Sequence, residues 1–163
     1  EDINIRLAYD NNGNMLIFVN EQDVSTAIRT PEVTALVSQV AAISEVRQKM
    51  VELQRKMAQD GSVLMDGRDI GSHVLPNADV KIFQIAEANE RARRRYKENL
   101  EKGINSSFDS ILENVKKRDY IDSHREFSPL VAAKDCITID TTYMSIEDVV
   151  NEILKICKSK GIE

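Results

Sequence analysis

Apolar and polar positions alternate through the opening residues 3–9, the period of a strand, residues 15–20 are a second short strand candidate, and Asp10-Asn11-Asn12-Gly13-Asn14 between them holds the residues of a hairpin turn. At Pro31 the period changes. Val33, Leu36, Val37 and Val40 recur at helical spacing, and Val46, Met50, Leu53 and Met57 repeat the pattern in a second helix that Gly61 ends. Val63-Leu64-Met65, closed by Asp66-Gly67, and Val80 to Ala86 are short apolar runs that suit strands covered on both faces. Helical patterns follow over about 87–102, 108–120 and 146–157, the last placing Ile146, Val149, Val150, Ile153, Leu154 and Cys157 on one face. Ser145 with Asp148 three residues later predicts a capping box at its start. Cys136-Ile137-Thr138-Ile139-Asp140 supplies a last buried strand just before that helix. Strand, helix, strand, helix in this order predicts an α/β fold with a parallel sheet and helices packed on it, while residues 1–60 differ in style and are expected to form a small insert.

Size and charge narrow the classes. A chain of 163 residues is one soluble domain, large enough to bury roughly 68–70% of its unfolded surface without a disulfide or structural metal. Lys and Arg number 22 against 27 Asp and Glu, and an acidic chain is a poor general binder of nucleic acid. No apolar run reaches the 18 or so residues of a membrane helix. Two cysteines, Cys136 and Cys157, fall in apolar settings and suit a reducing cytoplasm. The chain opens Glu1-Asp2-Ile3 without a methionine, directly into the alternating segment, which leads us to expect that something upstream has been removed.

Three clusters could carry chemistry. In Met65-Asp66-Gly67-Arg68-Asp69-Ile70-Gly71 an apolar run is followed by glycines and charges, so that Arg68 and Asp69 would stand beyond the carboxyl end of a strand, where open α/β sheets bind ligands. A turn with solvated charges has the same pattern. Arg118, Asp122 and Arg125 fall at i, i+4 and i+7 on one helical face. Two guanidiniums around one carboxylate suit a phosphate with a neighbouring hydroxyl, and equally a surface ion-pair ladder. Over 87–103 six basic residues stand against four Glu, with Arg91, Arg94 and Arg95 on one face; a polyphosphate fits it, and so does a face laced with Glu-Arg pairs. RNA is a weaker fit, because the patch is short and lacks interleaved aromatics.

These residues in this order resemble the bacterial cytidylate kinases, nucleoside monophosphate kinases that move a phosphoryl group from ATP to CMP or dCMP. The carrying stretches are Ile28 to Val33, Val40 to Ile43, Val46-Arg47, Asp66 to Gly71, Val74-Leu75-Pro76, Val80 to Phe83, Glu90 to Tyr96, Arg118 to Arg125, Pro129-Leu130 and Asp140-Thr141-Thr142. The resemblance implies a P-loop NTPase-like parallel sheet with helices on both faces. Residues 1–60 would be the monophosphate-binding insert, 61–163 the remaining core, and about 91–106 a lid. It implies that Ser38, Arg47, Asp69 and Arg125 face the cytosine, that Arg68 holds the CMP phosphate, and that Arg118 and Asp122 take the sugar and phosphate side. Arg91, Arg94 and Arg95 would close over ATP, and Arg68, Arg94, Arg95 and Arg118 would steady the transferring group. ATP with Mg²⁺ is the implied donor, in a cytoplasmic enzyme that is monomeric when complete and binds neither nucleic acid nor membrane.

One departure concerns the chemistry. The family's G-x-x-x-x-G-K-[ST] loop, which cradles the ATP phosphates, is absent from the 163 residues, and no Gly-Lys pair occurs. The expectation is therefore an α/β kinase fold lacking its first strand and loop, with that segment missing or supplied by another chain. A non-catalytic nucleotide-binding module derived from a kinase is the alternative.

Overall fold

The computed structural model describes residues 3–59 and 61–162; Glu1 and Asp2, on which the expectation about the chain's opening rests, lie outside them. Two compact units divide the chain, Glu1–Ala41 and Ala42–Glu163.

In the first unit β1 (Ile5–Tyr9), β2 (Met15–Val19) and the two-residue β3 (Gln22–Asp23) form an antiparallel sheet in that order. The register pairs Ile5 with Val19 and Tyr9 with Met15. The expected turn closes β1 to β2: Asp10 Oδ1 accepts from the amides of Asn12 and Asn14, each at 2.8 Å. The second hairpin has no counterpart in the sequence reading. Asn20 and Glu21 take φ of 48° and 65°, the left-handed pair that a two-residue turn between twisted strands requires. Helix α1 (Pro31–Ala41) completes the unit.

The second unit begins with α2 (Ser44–Met57), followed by a π-helical turn at Ile70–Val74, β4 (Ile82–Ile85), α3 (Ala88–Glu101), α4 (Phe108–His124), β5 (Ile137–Asp140) and α5 (Ile146–Ser159). Strands β4 and β5 pair in parallel, Ile82 opposite Ile137 and Ile85 opposite Asp140. Their crossover runs through α3 and α4, which pack on each other around Ala92, Ile111 and Val115, with Tyr96 and Phe108 edge to face at the margin. The capping box forms as expected: Ser145 Oγ accepts from the Asp148 amide, and the Ser145 amide donates back to the Asp148 carboxylate.

Four expectations are corrected. Val63-Leu64-Met65 is not a strand, and Leu64 is 91% exposed; an apolar run forms a strand only beside a backbone partner, and none pairs with it among the described residues. The β4 and β5 strands are not covered on both faces, since Ile85 and Ile137 are exposed in a two-stranded ladder. Helix α2 forms as the Val46-Met50-Leu53-Met57 spacing predicts, but it ends at Met57 with Ala58 as its cap rather than at Gly61, and the residue it buries is Val51. Helix α4 runs four residues beyond 120, because Asp122 is buried and the last turn is held by its neighbours rather than by apolar periodicity.

Candidate functional site

Residues on α2, on the π-helical turn and at the end of α4 converge within the second unit. The turn is defined by two i→i+5 bonds, from the Val74 amide to the Asp69 carbonyl at 3.2 Å and from the Leu75 amide to the Ile70 carbonyl at 2.7 Å. Such turns are frequent at functional sites because they re-aim the residues beside them. Here the residue beside the turn is Asp69, 4% exposed.

Arg47, on the inner face of α2, donates Nη1 to both Asp69 oxygens at 3.0 and 2.9 Å. Two turns further along α2, Arg55 donates Nε to the Val74 carbonyl at 3.0 Å and Nη2 to the His73 carbonyl at 2.5 Å. The same helix thus grips both ends of the turn. Arg55 was not singled out in the sequence; its i, i+8 relation to Arg47 across buried Val51 is the signal that would have found it.

A second carboxylate, Asp122, is 3% exposed on α4. Its Oδ2 lies 3.2 Å from Arg68 Nε and 3.7 Å from Arg118 Nε, and its Oδ1 lies 3.6 Å from Arg125 Nη1. Arg125, the cap residue after α4, also reaches toward Asp69, with Nη2 3.8 Å from Oδ1. Four guanidiniums therefore surround two carboxylates, a surplus of positive charge in a buried setting. Burial lowers the proton affinity of Arg118, and the positive charge of Arg68 lowers it further against the pull of Asp122. Arg125 is lowered in the same way, by burial and then by Arg47. An arginine so placed stays charged, and the part of each shift that comes from a neighbouring guanidinium has the sign expected where an added anion would be favoured.

Hydrogen-bonding capacity is left over. Arg118 Nε, Asp122 Oδ2 and Arg125 Nη2 are buried without a hydrogen-bond partner, since their ionic contacts are too long or too poorly aligned to be hydrogen bonds. Buried donors and acceptors in that state carry a desolvation cost that a ligand's complementary atoms would relieve.

The α3 arginines separate. Arg91 makes a paired contact with Asp119, through Nη1 at 2.9 Å and Nη2 at 2.5 Å, which raises the Arg91 proton affinity and holds the Asp119 carboxyl below its usual range. Arg94 donates Nη2 to the carbonyls of Thr141 and Thr142, at 2.5 and 3.0 Å, at the end of β5. Arg95 makes no hydrogen bond among the described residues, yet its charge is felt by Arg118 and Asp119. Arg93 pairs with Glu90, and Lys102 with Glu98, on the outer face. Ser38 lies on α1, in the first unit. Among the described residues no three His, Cys, Asp or Glu side chains converge as metal ligands, and no helix is long and apolar enough to cross a membrane. Cys136 and Cys157 are free and half-buried.

The family model for cytidylate kinase matches residues 2–159. Over 141 residues the chain is 55% identical to a cytidylate kinase of Streptococcus uberis, which covers 86% of this chain and 62% of that protein. It is 52% identical over 147 residues to one of Enterococcus faecalis (90% and 65%), and 53% identical over 141 residues to one of Streptococcus pyogenes (86% and 62%). The chain thus spans under two thirds of the length of these relatives. The match extends through every residue of the Arg47, Arg68, Asp69, Arg118, Asp122 and Arg125 cluster, and the chain belongs to the cytidylate kinase family.

Proposed function

We propose that the protein is a cytidylate kinase, transferring the γ-phosphoryl group of ATP to CMP or dCMP to give CDP or dCDP. The observation that carries this is the pair of buried carboxylates set among four arginines, with donors and an acceptor left unpaired. Family membership and the names of its relatives support the same reading.

Cytosine presents an amine donor at one edge and ring and carbonyl acceptors beside it. Asp69 accepts from the amine, while Arg47 and Arg125 donate to the acceptors; Ser38 is assigned to the base by family membership alone. Uracil reverses the amine and ring-nitrogen roles, which would face a carbonyl oxygen toward a carboxylate and leave buried groups unpaired. Arg68 holds the 5′-phosphate, and Arg118 and Asp122 take the sugar and phosphate side. An oxygen of that phosphate then attacks the γ-phosphorus in line as the bond to the ADP oxygen breaks, with no covalent enzyme intermediate. Arg68, Arg94, Arg95 and Arg118 neutralise the charge that spreads over the transferring group; Arg91, Arg94 and Arg95 belong to a lid spanning about 91–106.

Mg²⁺ enters with ATP as part of the substrate, and no residue of this chain is assigned to it. The phosphate-cradling loop of the family is not among these 163 residues, and on this chain only Arg91, Arg94 and Arg95 are assigned to the donor phosphates. The proposed setting is the cytoplasm, with a monomeric complete enzyme. Calorimetric titration with CMP, with UMP and AMP as controls, tests the acceptor site. Selective CMP binding is the expected result; equal binding of all three, or none by a folded chain, would remove the assignment.

A further inference from the structure

Ser128 follows α4 and immediately precedes Pro129, and its backbone lies in the left-handed region, with φ of 51°. Residues with a Cβ are disfavoured there, and the place before a proline is restricted again. The residue is 2% exposed, and its own hydroxyl has no hydrogen-bond partner, so the side chain does not explain the conformation.

The backbone does. The left-handed turn brings the Ser128 carbonyl back toward α4, where it accepts from Arg125 Nε at 2.5 Å. This is the one side-chain hydrogen bond of Arg125 among the described residues. The other two guanidinium nitrogens stand 3.6 Å from Asp122 and 3.8 Å from Asp69, outside hydrogen-bond reach. Two residues on, the Leu130 amide donates to the Asp122 carbonyl at 2.7 Å. The loop after α4 thus holds the side chain of one site residue and the backbone of another.

We propose that Ser128 is a positioning residue, whose left-handed turn aims Arg125 between Asp69 and Asp122 and thereby sets how tightly and how selectively the nucleotide base is held. The part concerning the base rests on the cytidylate kinase reading; the part concerning Arg125 does not. Ser128 is fully buried, so any larger side chain strains the packing there whatever its backbone preference, and the comparison must be made at equal size.

Two substitutions of nearly equal size separate a backbone role from a packing role, because only one of them tolerates the left-handed region. Asn tolerates it, whereas β-branched Thr does not; Ala, with the same Cβ as Ser, would leave the turn as it is. Ser128→Asn, with Ser128→Gly as a second tolerant variant, should keep CMP affinity within about twofold of the native chain. Ser128→Thr should weaken it about tenfold and narrow the preference over UMP, as expected for a lost hydrogen bond to a charged group. A readout without nucleotide accompanies the titration: the Arg125 Nε–H resonance in NMR should exchange slowly with water in the native, Asn and Gly proteins and quickly in Thr. Failure of the native chain to bind CMP would overturn the kinase reading, while the Nε–H comparison would still decide the inference about Arg125. A Thr variant that matches native in exchange and affinity, or an Asn variant that is the more damaged of the two, would overturn the proposal.

Discussion

Arg47 and Asp69 lie 22 residues apart, yet one guanidinium nitrogen donates to both oxygens of the carboxylate, and the two side chains are 12% and 3% exposed. The contact binds α2 to the π-helical turn. It also fixes the direction of Asp69, since both carboxylate oxygens are held from one side. Each oxygen has a further lone pair, so the carboxylate can accept from a ligand while it holds the arginine.

Asp69→Asn keeps the shape and removes the charge. A buried ion pair broken on one side leaves the partner uncompensated, a loss of about 3–5 kcal/mol. The urea midpoint should fall accordingly, and CMP affinity should drop by about 1–3 kcal/mol in the folded fraction. A variant with native midpoint and native CMP affinity would show that the cluster neither holds the turn nor reads the base.

The contact between Arg91 and Asp119 predicts a pH dependence. The Asp119 carboxyl is held below its usual range, first by the hydrogen bonds from Arg91, so it binds its proton less readily folded than unfolded. Its contribution to stability is therefore present above the unfolded value, near pH 4, and is lost as pH falls through the lower folded value. Unfolding followed from pH 6 to pH 2 should show this loss in the native chain and a shallower slope in Asp119→Asn. Both side chains are about one third exposed, so the effect is modest and shrinks further in high salt.

Arg94 and Arg95 are neighbours on α3 with different obligations. Arg94 ties α3 to the carbonyls at the end of β5, while Arg95 makes no hydrogen bond among the described residues. Arg94→Ala should cost about 0.5–1.5 kcal/mol of stability in addition to any effect on turnover. Arg95→Ala should leave stability within about 0.5 kcal/mol of native and, in an enzyme that phosphorylates CMP, lower kcat more than CMP affinity. A raised KM for CMP with unchanged kcat in Arg95→Ala would place this residue at the acceptor instead.

Local rules were legible where a segment satisfies itself. The Asp10 turn and the Ser145 capping box need only their own neighbours, and the periods of α3 and α5 stand within single helices. Val63-Leu64-Met65 was misread because a strand is made by its partner, which an apolar run does not encode. Within the cluster, Arg118 and Asp122 are legible as one face of α4 from spacing, with Arg125 just past its end, whereas Asp69 is not placed by the strand expected before it, because that run pairs with nothing among the described residues. The π-helical turn has no periodic signature, and so the grip of Arg55 on its far end was hidden. Ser128 was hidden for another reason: a serine before proline signals a turn, whereas the handedness of that turn and the target of its carbonyl are properties of the packed loop.

Two glycines of the Asp66 to Gly71 segment should respond differently to alanine. A Cβ on Gly67 would stand 2.8 Å from Ile70 Cγ1 and 3.0 Å from Cδ1, closer than packed carbons approach. Ile70 opens the π-helical turn and follows Asp69 directly, so its displacement would carry into the two residues between them, Arg68 and Asp69. Overpacking of this kind costs roughly 1–3 kcal/mol. On Gly71 the nearest atoms are the aliphatic Cγ and Cδ of Lys81 at 3.4 Å, an ordinary contact that requires nothing to move. Gly67→Ala should therefore lower the urea midpoint and weaken CMP binding, and Gly71→Ala should change neither by more than about 0.5 kcal/mol. Equal responses from the two variants would mean that Ile70 moves aside without disturbing the turn, and that Arg68 and Asp69 are held by their ion pairs alone.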